Sequence, residues 1–474
     1  MSKPSQSTPK PEATSGSSDA TAGVKSRYSL VTAVFLIMGI CIGSGIFFKS
    51  DNVLVATGGS VALGVAMFGI ASVYIVFGGL TLSLFAARTD GAGGIIDYAS
   101  RFVSPAFGHV MGIFYTFCYM PSIQAVIFWV TGVYACQALG LPDSLELQMG
   151  IGLAALLACS ALNVLSPRLA GRFQDANTVL KVVPLLAVGA IGAFAVASGN
   201  IGAGDAAPAG RQAMAGAAGL SWLAAAGPVA YSFDGWTIAT SIAPELRDSR
   251  RNLPIALVVA PLCILALYLC YFVGLSLTLG PGRVMEAGDG SLGLFFSTVM
   301  GEGASRLPVF VAFLAVLGVG NGVTLGHARM PQALGLRGEI PHARWVARTD
   351  PHWLSPVNSS AVALASSLAW MVVHYLTQRH GLIPNGDVSE VTVSLCMLLM
   401  VPILLSAVRL WRRGEAGAVR GLLAPALGSA ACLLVGVGAL ADPARLAMAG
   451  LVLVASVAAT LVAASGSKRE AVRG

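Results

Sequence analysis

Charge is scarce in this sequence. Asp, Glu, Lys and Arg make up only 11% of its 474 residues, where soluble domains carry roughly 25%. That excludes an ordinary soluble domain, and the 55% hydrophobic content excludes disorder. Patterns for metal and covalent chemistry are also lacking. The six histidines are scattered and form no HExxH, so no metal is implied. The eight cysteines (Cys41, Cys118, Cys136, Cys159, Cys263, Cys270, Cys396 and Cys432) all fall in apolar segments. They show neither metal-ligand spacing nor a disulfide framework, and read as small buried residues. No GxSxG and no paired aspartates occur within the apolar segments, which speaks against a membrane-embedded hydrolase. No cofactor and no enzyme activity is expected. Lys and Arg exceed Asp and Glu by 29 to 22. In so apolar a chain that excess is read by position in a membrane topology, not as a nucleic-acid surface.

What the chain does have is long apolar runs, with 56 glycines and 23 prolines. About twelve runs are long enough to span a bilayer. They lie near 29–56, 61–86, 106–139, 148–164, 174–199, 221–246, 254–280, 307–328, 357–376, 388–409, 420–440 and 446–465. The third is too long for one straight span, and Pro121 within it predicts a kink. Residues 1–26, rich in Ser, Thr, Pro and Ala, read as a disordered cytoplasmic tail and not as a secretory signal.

Loop charges orient the spans. With the N-terminus inside, one side holds Arg247, Arg250 and Arg251, then Arg329, Arg337, Arg344 and Arg348, then Arg409, Arg412, Arg413 and Arg420. The other side holds Lys49, Arg211, Arg283, Arg306, Arg379 and Arg445. Basic residues gather on the cytoplasmic side, so both termini are expected there. Asn358-Ser359-Ser360 matches a glycosylation triplet, but on the cytoplasmic side of this arrangement.

Two spans carry a local fault. MGICIGSGIF, from Met38 to Phe47, places Gly39, Gly43 and Gly45 in mid-membrane with Ser44 between the last two. GPVAYSFDGW, from Gly227 to Trp236, places Gly227, Pro228 and Gly235 beside the ionisable Asp234. Glycine unwinds readily, and unwound backbone in a bilayer needs protein or ligand partners. Gly39 and Gly43 also form a GxxxG, so a small-residue packing face is the competing reading of the first fault. A carboxylate at that depth costs about 2.5–3.5 kcal/mol on insertion scales, which marks a functional position. Five spans separate equivalent points in the two faults. Five is odd, so two five-helix units would run in opposite directions. Broken helices at matching points of inverted halves mark a transporter's midplane site. The domains expected are 27–205 and 206–415 for the two units, with 416–474 for two further helices and a short tail.

The sequence resembles the amino acid–polyamine–organocation superfamily, and within it the L-type amino acid transporter family and its bacterial relatives. Gly43-Ser44-Gly45-Ile46-Phe47 looks like that family's GSGIF signature. Gln174-Asp175 with Lys181 resembles its QD…K pattern. Ser232 to Trp236, then Glu245 and Arg251-Asn252-Leu253-Pro254, resemble its GW…E…RNLP stretch. Asn321 to Arg329, Arg337 to Pro341 and Ser355-Pro356 are similar to its N…AR…RDGxLP…TP stretch. The likeness covers residues 29–380 or so.

The resemblance implies an all-α membrane protein with two inverted five-helix repeats, broken helices one and six, and two extra helices. It implies sodium-independent uptake or exchange of amino acids. Animal members carry a cysteine between helices three and four that links a glycoprotein partner. That loop, Gly140 to Leu147, reads GLPDSLEL and has none, so no disulfide-linked partner chain is expected. A monomer or weak oligomer is expected, and composition points to a bacterial inner membrane.

An amino acid presents a carboxylate and an ammonium. The backbone N–H groups at Ser44 and Gly45, with the Ser44 hydroxyl, are expected to take the carboxylate at a half-helix N-terminus. Unwound carbonyls near Cys41, Tyr231 and Asp234 are expected to take the ammonium, while Gly43, Gly45 and Gly235 let the backbone come close. The likeness assigns Tyr231 to a lid over the substrate, with a core aromatic as the alternative. Trp236 is assigned to packing. Asn321 would either touch substrate or cross-link helices. Lys181 has no charge near it in sequence; the resemblance sets it against helices one and eight, where sodium-driven relatives of the fold hold a cation. Asp234 would pair with the ammonium or a cationic side chain, or serve only to shape the break. Neutral amino acids with some tolerance of cationic ones are expected. A carrier of cationic amino acids or polyamines is the alternative, and a channel is disfavoured for want of a filter ring.

Overall fold

The computed structural model describes residues 29–89, 94–166, 169, 177, 180–198, 221–237, 246–353, 355–383 and 385–473. The expected N-terminal tail, the Gln174-Asp175 pair, Glu245 and the 205/206 domain boundary lie outside the described residues.

The first apolar run is three helices, α1 (Leu30–Cys41), α2 (Ser44–Phe48) and α3 (Ser50–Ala56). Helix α4 (Val61–Ala86) follows, its first turn capped by Ser60, whose hydroxyl accepts from the Leu63 N–H. The third run starts at α5 (Pro105–Phe114), with Ser104 as N-cap and proline in the first turn. A π-helical turn, Tyr115–Tyr119, joins it to α6 (Met120–Leu139). Gly140, at φ 65°, ends α6 in a left-handed conformation that suits glycine. Helices α7 (Leu145–Leu165), α8 (Val182–Ala197), α9 (Ala226–Ser232) and α10 (Ser249–Leu279) come next. The second half continues with α11 (Glu302–His327), α12 (Ala343–Val346), α13 (Val357–Arg379), α14 (Val388–Arg412), α15 (Ala424–Ala439) and α16 (Pro443–Arg473).

Among the described residues there is no strand, only an isolated bridge between Asp350 and Ser355. Nine helical stretches there are long and apolar enough to cross a membrane, short of the expected twelve. The difference has a physical cause in two places. The first run is cut at Ile42–Gly43, leaving a short apolar helix from Leu30 to Gly39. The sixth run is a 3-10 segment, Ser221–Ala225, and then α9, which stops at Ser232. A second short apolar helix, Val182–Ala195, stands where the fifth span was expected.

The kink expected at Pro121 is a π-turn placed just before it. Proline has no N–H for the carbonyl four residues back. That carbonyl, on Phe117, accepts instead from the Trp370 indole N–H at 2.8 Å. The Thr116 carbonyl in the same turn takes a ring nitrogen of His327 at 2.8 Å. π-Turns of this kind recur at functional sites, and this one faces the molecule's centre.

Helix α6 packs along α11 and α7, α8 along α10, and α14 along α15. Glycines allow the closest approaches. A Cβ on Gly132 of α6 would lie 1.9 Å from the Gln148 carbonyl oxygen of α7. The two glycines Gly192 and Gly274 bring α8 and α10 into backbone contact.

Candidate functional site

Helix α1 ends at Cys41, and Ile42 leaves the helical region at φ −70°, ψ 95°. Gly43 is extended, and α2 begins at Ser44 with no side-chain cap. The first N–H groups of α2 therefore have no intrahelical acceptor. The Ser44 side chain lies outside what the structure describes. Helix α9 ends similarly: Phe233 leaves it, Asp234 N–H reaches the Tyr231 carbonyl, and Gly235 turns at φ 94°. That positive φ needs glycine.

The two interruptions lie against each other. A Cβ on Gly45 would fall 2.5 Å from the Ser232 Cα. The Tyr268 hydroxyl, from α10, lies 3.0 Å from the Cys41 carbonyl oxygen and 2.8 Å from that of Ser232. One buried hydroxyl thus serves the carbonyls freed at both breaks. Tyr268→Phe leaves both without it, which should cost about 1–3 kcal/mol. Thermal unfolding of the purified protein would show it. Tyr271→Phe is the control, because its hydroxyl stands 3.5 Å from the Phe47 carbonyl and contributes little. Equal effects of the two changes would contradict this role.

Between the breaks is a cavity of about 60 Å³. Cys41, Gly43 and Gly45 line it from the first break, and Tyr231, Asp234 and Gly235 from the second. Tyr115, Tyr119, Met120, Ile123 and Ile127 come from the third run, and Val319 and Val323 from α11. The Asp234 carboxylate accepts from the Tyr119 hydroxyl. Tyr115 and Tyr119 stack at 4.4 Å, one turn apart. One end of the cavity is therefore polar and aromatic, and the wall of Ile, Val and Met is apolar.

Of the residues singled out in the sequence, Cys41, Gly43, Gly45, Tyr231, Asp234 and Gly235 share this cavity. Asn321 does not line it. Its carboxamide oxygen accepts from Asn163 Nδ2 at 2.9 Å, joining α11 to α7. Trp236 donates to the Tyr74 hydroxyl at 3.0 Å and packs on that ring. Lys181 is buried, and its ammonium donates to the Gly39 carbonyl near the end of α1. Sequence reasoning missed Tyr115, Tyr119 and Tyr268. The first two sit just ahead of Pro121, and that proline was the available signal.

A second polar group corrects the charge reading. Lys49 and Arg445 were counted as outer loop charges, yet they are only 2% and 4% exposed. The Lys49 ammonium lies 2.5 Å from Asp387 Oδ2 and 2.5 Å from Glu390 Oε1. Arg445 meets Glu390 Oε2 at 3.3 Å and donates to the Asn385 carbonyl at 2.9 Å. Asp387 also caps α14 through its Oδ1, which accepts from the Ser389 N–H. Lys49 stands 5.4 Å from the Tyr231 ring centroid. Gly227 of α9 passes so close that a Cβ there would lie 2.9 Å from Glu390 Oε2. Two carboxylates and two cations thus tie the α2–α3 end of the first run to α9, α14 and α16. Among the described residues no cluster of His, Cys, Asp and Glu could hold a metal.

A family model described as amino acid permease matches residues 28–464. The serine/threonine exchanger SteT of Bacillus subtilis is 23% identical over 359 residues, 74% of this chain and 77% of that protein. The b(0,+)-type amino acid transporter 1 of Mus musculus is 24% identical over 322 residues, 68% of this chain and 65% of the relative. The large neutral amino acids transporter small subunit 2 of Rattus norvegicus is 26% identical over 341 residues, 70% of this chain. In that last case the match spans 62% of the relative, so the chain covers rather less than two thirds of it.

Proposed function

Since the chain belongs to the amino acid permease family, we propose that it carries amino acids across the membrane by alternating access, as a sodium-independent exchanger or uptake carrier. The observation that carries this reading is the convergence of two helix breaks on one cavity, joined by Tyr268. The substrate's carboxylate is taken by the uncapped N–H groups at the start of α2. Its ammonium is taken by carbonyls of the breaks near Cys41 and Tyr231, and Tyr231 closes over it. The apolar wall of Ile123, Ile127, Val319 and Val323 receives the side chain. The cavity, at about 60 Å³, is small. This favours small neutral amino acids, in keeping with a relative described as a serine/threonine exchanger.

Lys181 supplies a fixed cation at the Gly39 carbonyl, in place of a transported ion. The breaks fall in the first and sixth runs, which supports two inverted five-helix units over 27–205 and 206–415. The bias of arginines supports cytoplasmic termini, and composition a bacterial inner membrane. The cysteine-free 140–147 loop argues against a disulfide-linked partner chain, and a monomer or weak oligomer is proposed beside it.

The cationic reading is kept by one observation, that Asp234 lines the cavity. Asp234→Asn retains an acceptor for Tyr119 and removes the charge. It should weaken inhibition by arginine, lysine or ornithine by at least about tenfold relative to alanine, or about 1.4 kcal/mol. The test is competition against uptake in proteoliposomes. Equal weakening of both classes would make Asp234 structural. Absence of any cationic competition in the wild type would refute tolerance of cationic substrates.

A further inference from the structure

A second buried network surrounds His327, which ends α11 and is 1% exposed. An ionisable side chain at that depth marks a functional position. Its Nε2 donates to the Thr116 carbonyl at 2.8 Å. A carbonyl only accepts, so that nitrogen keeps its hydrogen. Its Nδ1 stands 2.6 Å from the side-chain amide of Gln124 on α6, a group that can offer either its oxygen or its NH2. Both orientations of the amide leave every member partnered. With the oxygen toward the ring, Gln124 accepts from Nδ1–H and from the Ser367 hydroxyl at 2.5 Å. Its NH2 then donates to Thr324 Oγ1 at 2.8 Å, and the Thr324 hydroxyl to the Gly320 carbonyl at 2.7 Å. The ring holds two hydrogens and is charged. With the amide turned over, its NH2 donates to a bare Nδ1 and to Ser367, whose hydroxyl has the Ala363 carbonyl at 3.0 Å. Its oxygen accepts from Thr324, and the ring is neutral. One amide rotation thus admits or releases a proton with no polar group stranded.

The proton also has a way out. A cavity of about 10 Å³, close to the least that holds one water, is lined by His327 and by Ser160 and Asn163 of α7. Asn163 Oδ1 is buried with no hydrogen-bond partner among the described residues, so it suits a water as donor. The cavity reaches Ala328 and Ser360, where α11 ends and α13 begins, and the next residue, Arg329, is exposed. His327 is the one titratable residue on its wall, and Cys159 of α7 does not line it. The titratable groups of the π-turn, Tyr115, Cys118 and Tyr119, meet Thr237, Ser456 and Asp234 instead. His374 of α13 stacks on Trp129. No carboxylate lines the cavity to hold a charged ring permanently, so a proton taken up there can leave.

We propose that His327 is the proton-binding site of a proton-coupled transport cycle, a reading that rests on the carrier function proposed above. A proton from water is bound at Nδ1 and returned to water through the small cavity. Only that N–H bond forms and breaks. The charged ring donates about twice as strongly to the Thr116 carbonyl. That carbonyl belongs to the π-turn that brings Tyr115 and Tyr119 to the central cavity. Proton occupancy is thereby felt where Tyr119 meets Asp234.

Proteoliposomes of the purified full chain separate the two claims. Counterflow of labelled alanine or serine at equal pH tests the carrier alone. Uptake driven by a pH gradient of about one unit, acid outside, tests the proton site. The wild type should accumulate substrate by up to about tenfold, the limit for one proton per substrate, and a protonophore should abolish the accumulation. His327→Gln keeps a donor for the Thr116 carbonyl but cannot titrate, so counterflow should persist while accumulation is lost. Gln124→Glu sets a carboxylate against the ring and should shift the pH profile of counterflow toward alkaline pH. Counterflow without gradient-driven accumulation in the wild type would overturn the proposal. So would accumulation that survives His327→Gln, or an unshifted profile in Gln124→Glu. Absence of counterflow in the wild type would contradict the carrier reading, and the proton site with it.

Discussion

Gly45→Ala is expected to abolish transport, whereas Gly43→Ala is expected to be tolerated. The two glycines stand two residues apart in one break, yet they face different neighbours. A Cβ on Gly45 would lie 2.5 Å from the Ser232 Cα and 3.0 Å from its Oγ. Backbone cannot swing aside as a side-chain tip can, so α2 and α9 would have to separate. That moves both walls of the cavity at once. A misplacement of about 1 Å in a site of this kind costs on the order of hundredfold in rate. A Cβ on Gly43 would lie 3.3 Å from Val319 Cγ1 and at ordinary contact, 3.7 Å, from the Cys41 carbonyl oxygen, so only a side chain has to yield, by a few tenths of an ångström. Gly43 also sits at φ −125°, which alanine adopts. Uptake in proteoliposomes, with size-exclusion elution as a check on folding, would compare them. Near-normal uptake by Gly45→Ala would mean that the contact of the two breaks is not needed for transport.

Lys49→Met should be the most destabilising single change outside the cavity. It leaves Asp387 and Glu390, each 1% exposed, with Arg445 as the remaining cation. Removing one member of a buried ion pair typically costs about 3–5 kcal/mol, because a charge is left uncompensated. The thermal midpoint of the purified protein should fall by several degrees. Adding Asp387→Asn leaves Glu390 paired with Arg445, one carboxylate to one cation, and should recover most of the loss. A midpoint unchanged by Lys49→Met, or a double variant worse than the single one, would show that the cluster is not held by charge balance. The cluster joins the α2–α3 end of the first run to α9, α14 and α16, so transport must break or carry it as a unit whenever those helices part.

The breaks themselves were legible because their causes are local. Gly43 and Gly45 in one apolar run, and Gly235 beside Asp234 in another, weaken the helix wherever the chain folds. The span Val61–Ala86 was legible for the same reason, with an unbroken apolar run behind Ser60. What holds the breaks open was not legible. Tyr268 lies in the apolar stretch CILALYLCYF, where nothing marks one tyrosine as the partner of carbonyls on two distant helices. Lys49 looked like a loop charge because its partners lie 338 and 341 residues away. Asn321 was open to two readings because a polar residue in a span can meet either a ligand or another helix. Only its position, against Asn163, separates the two. Local physics shows where a membrane helix must fail, and long-range packing decides what the failure is used for.

In the proposed cycle the cavity between the breaks carries an amino acid without a coupled sodium ion, with Lys181, which donates to the Gly39 carbonyl, as the fixed cation. Radiolabelled uptake into proteoliposomes, preloaded with unlabelled alanine or serine, tests it most directly when sodium is replaced by choline. Uptake of small neutral amino acids should be saturable, stimulated by the preload and unchanged by choline. A fall of about tenfold on removing sodium, equivalent to about 1.4 kcal/mol, or no uptake of any amino acid, would contradict it.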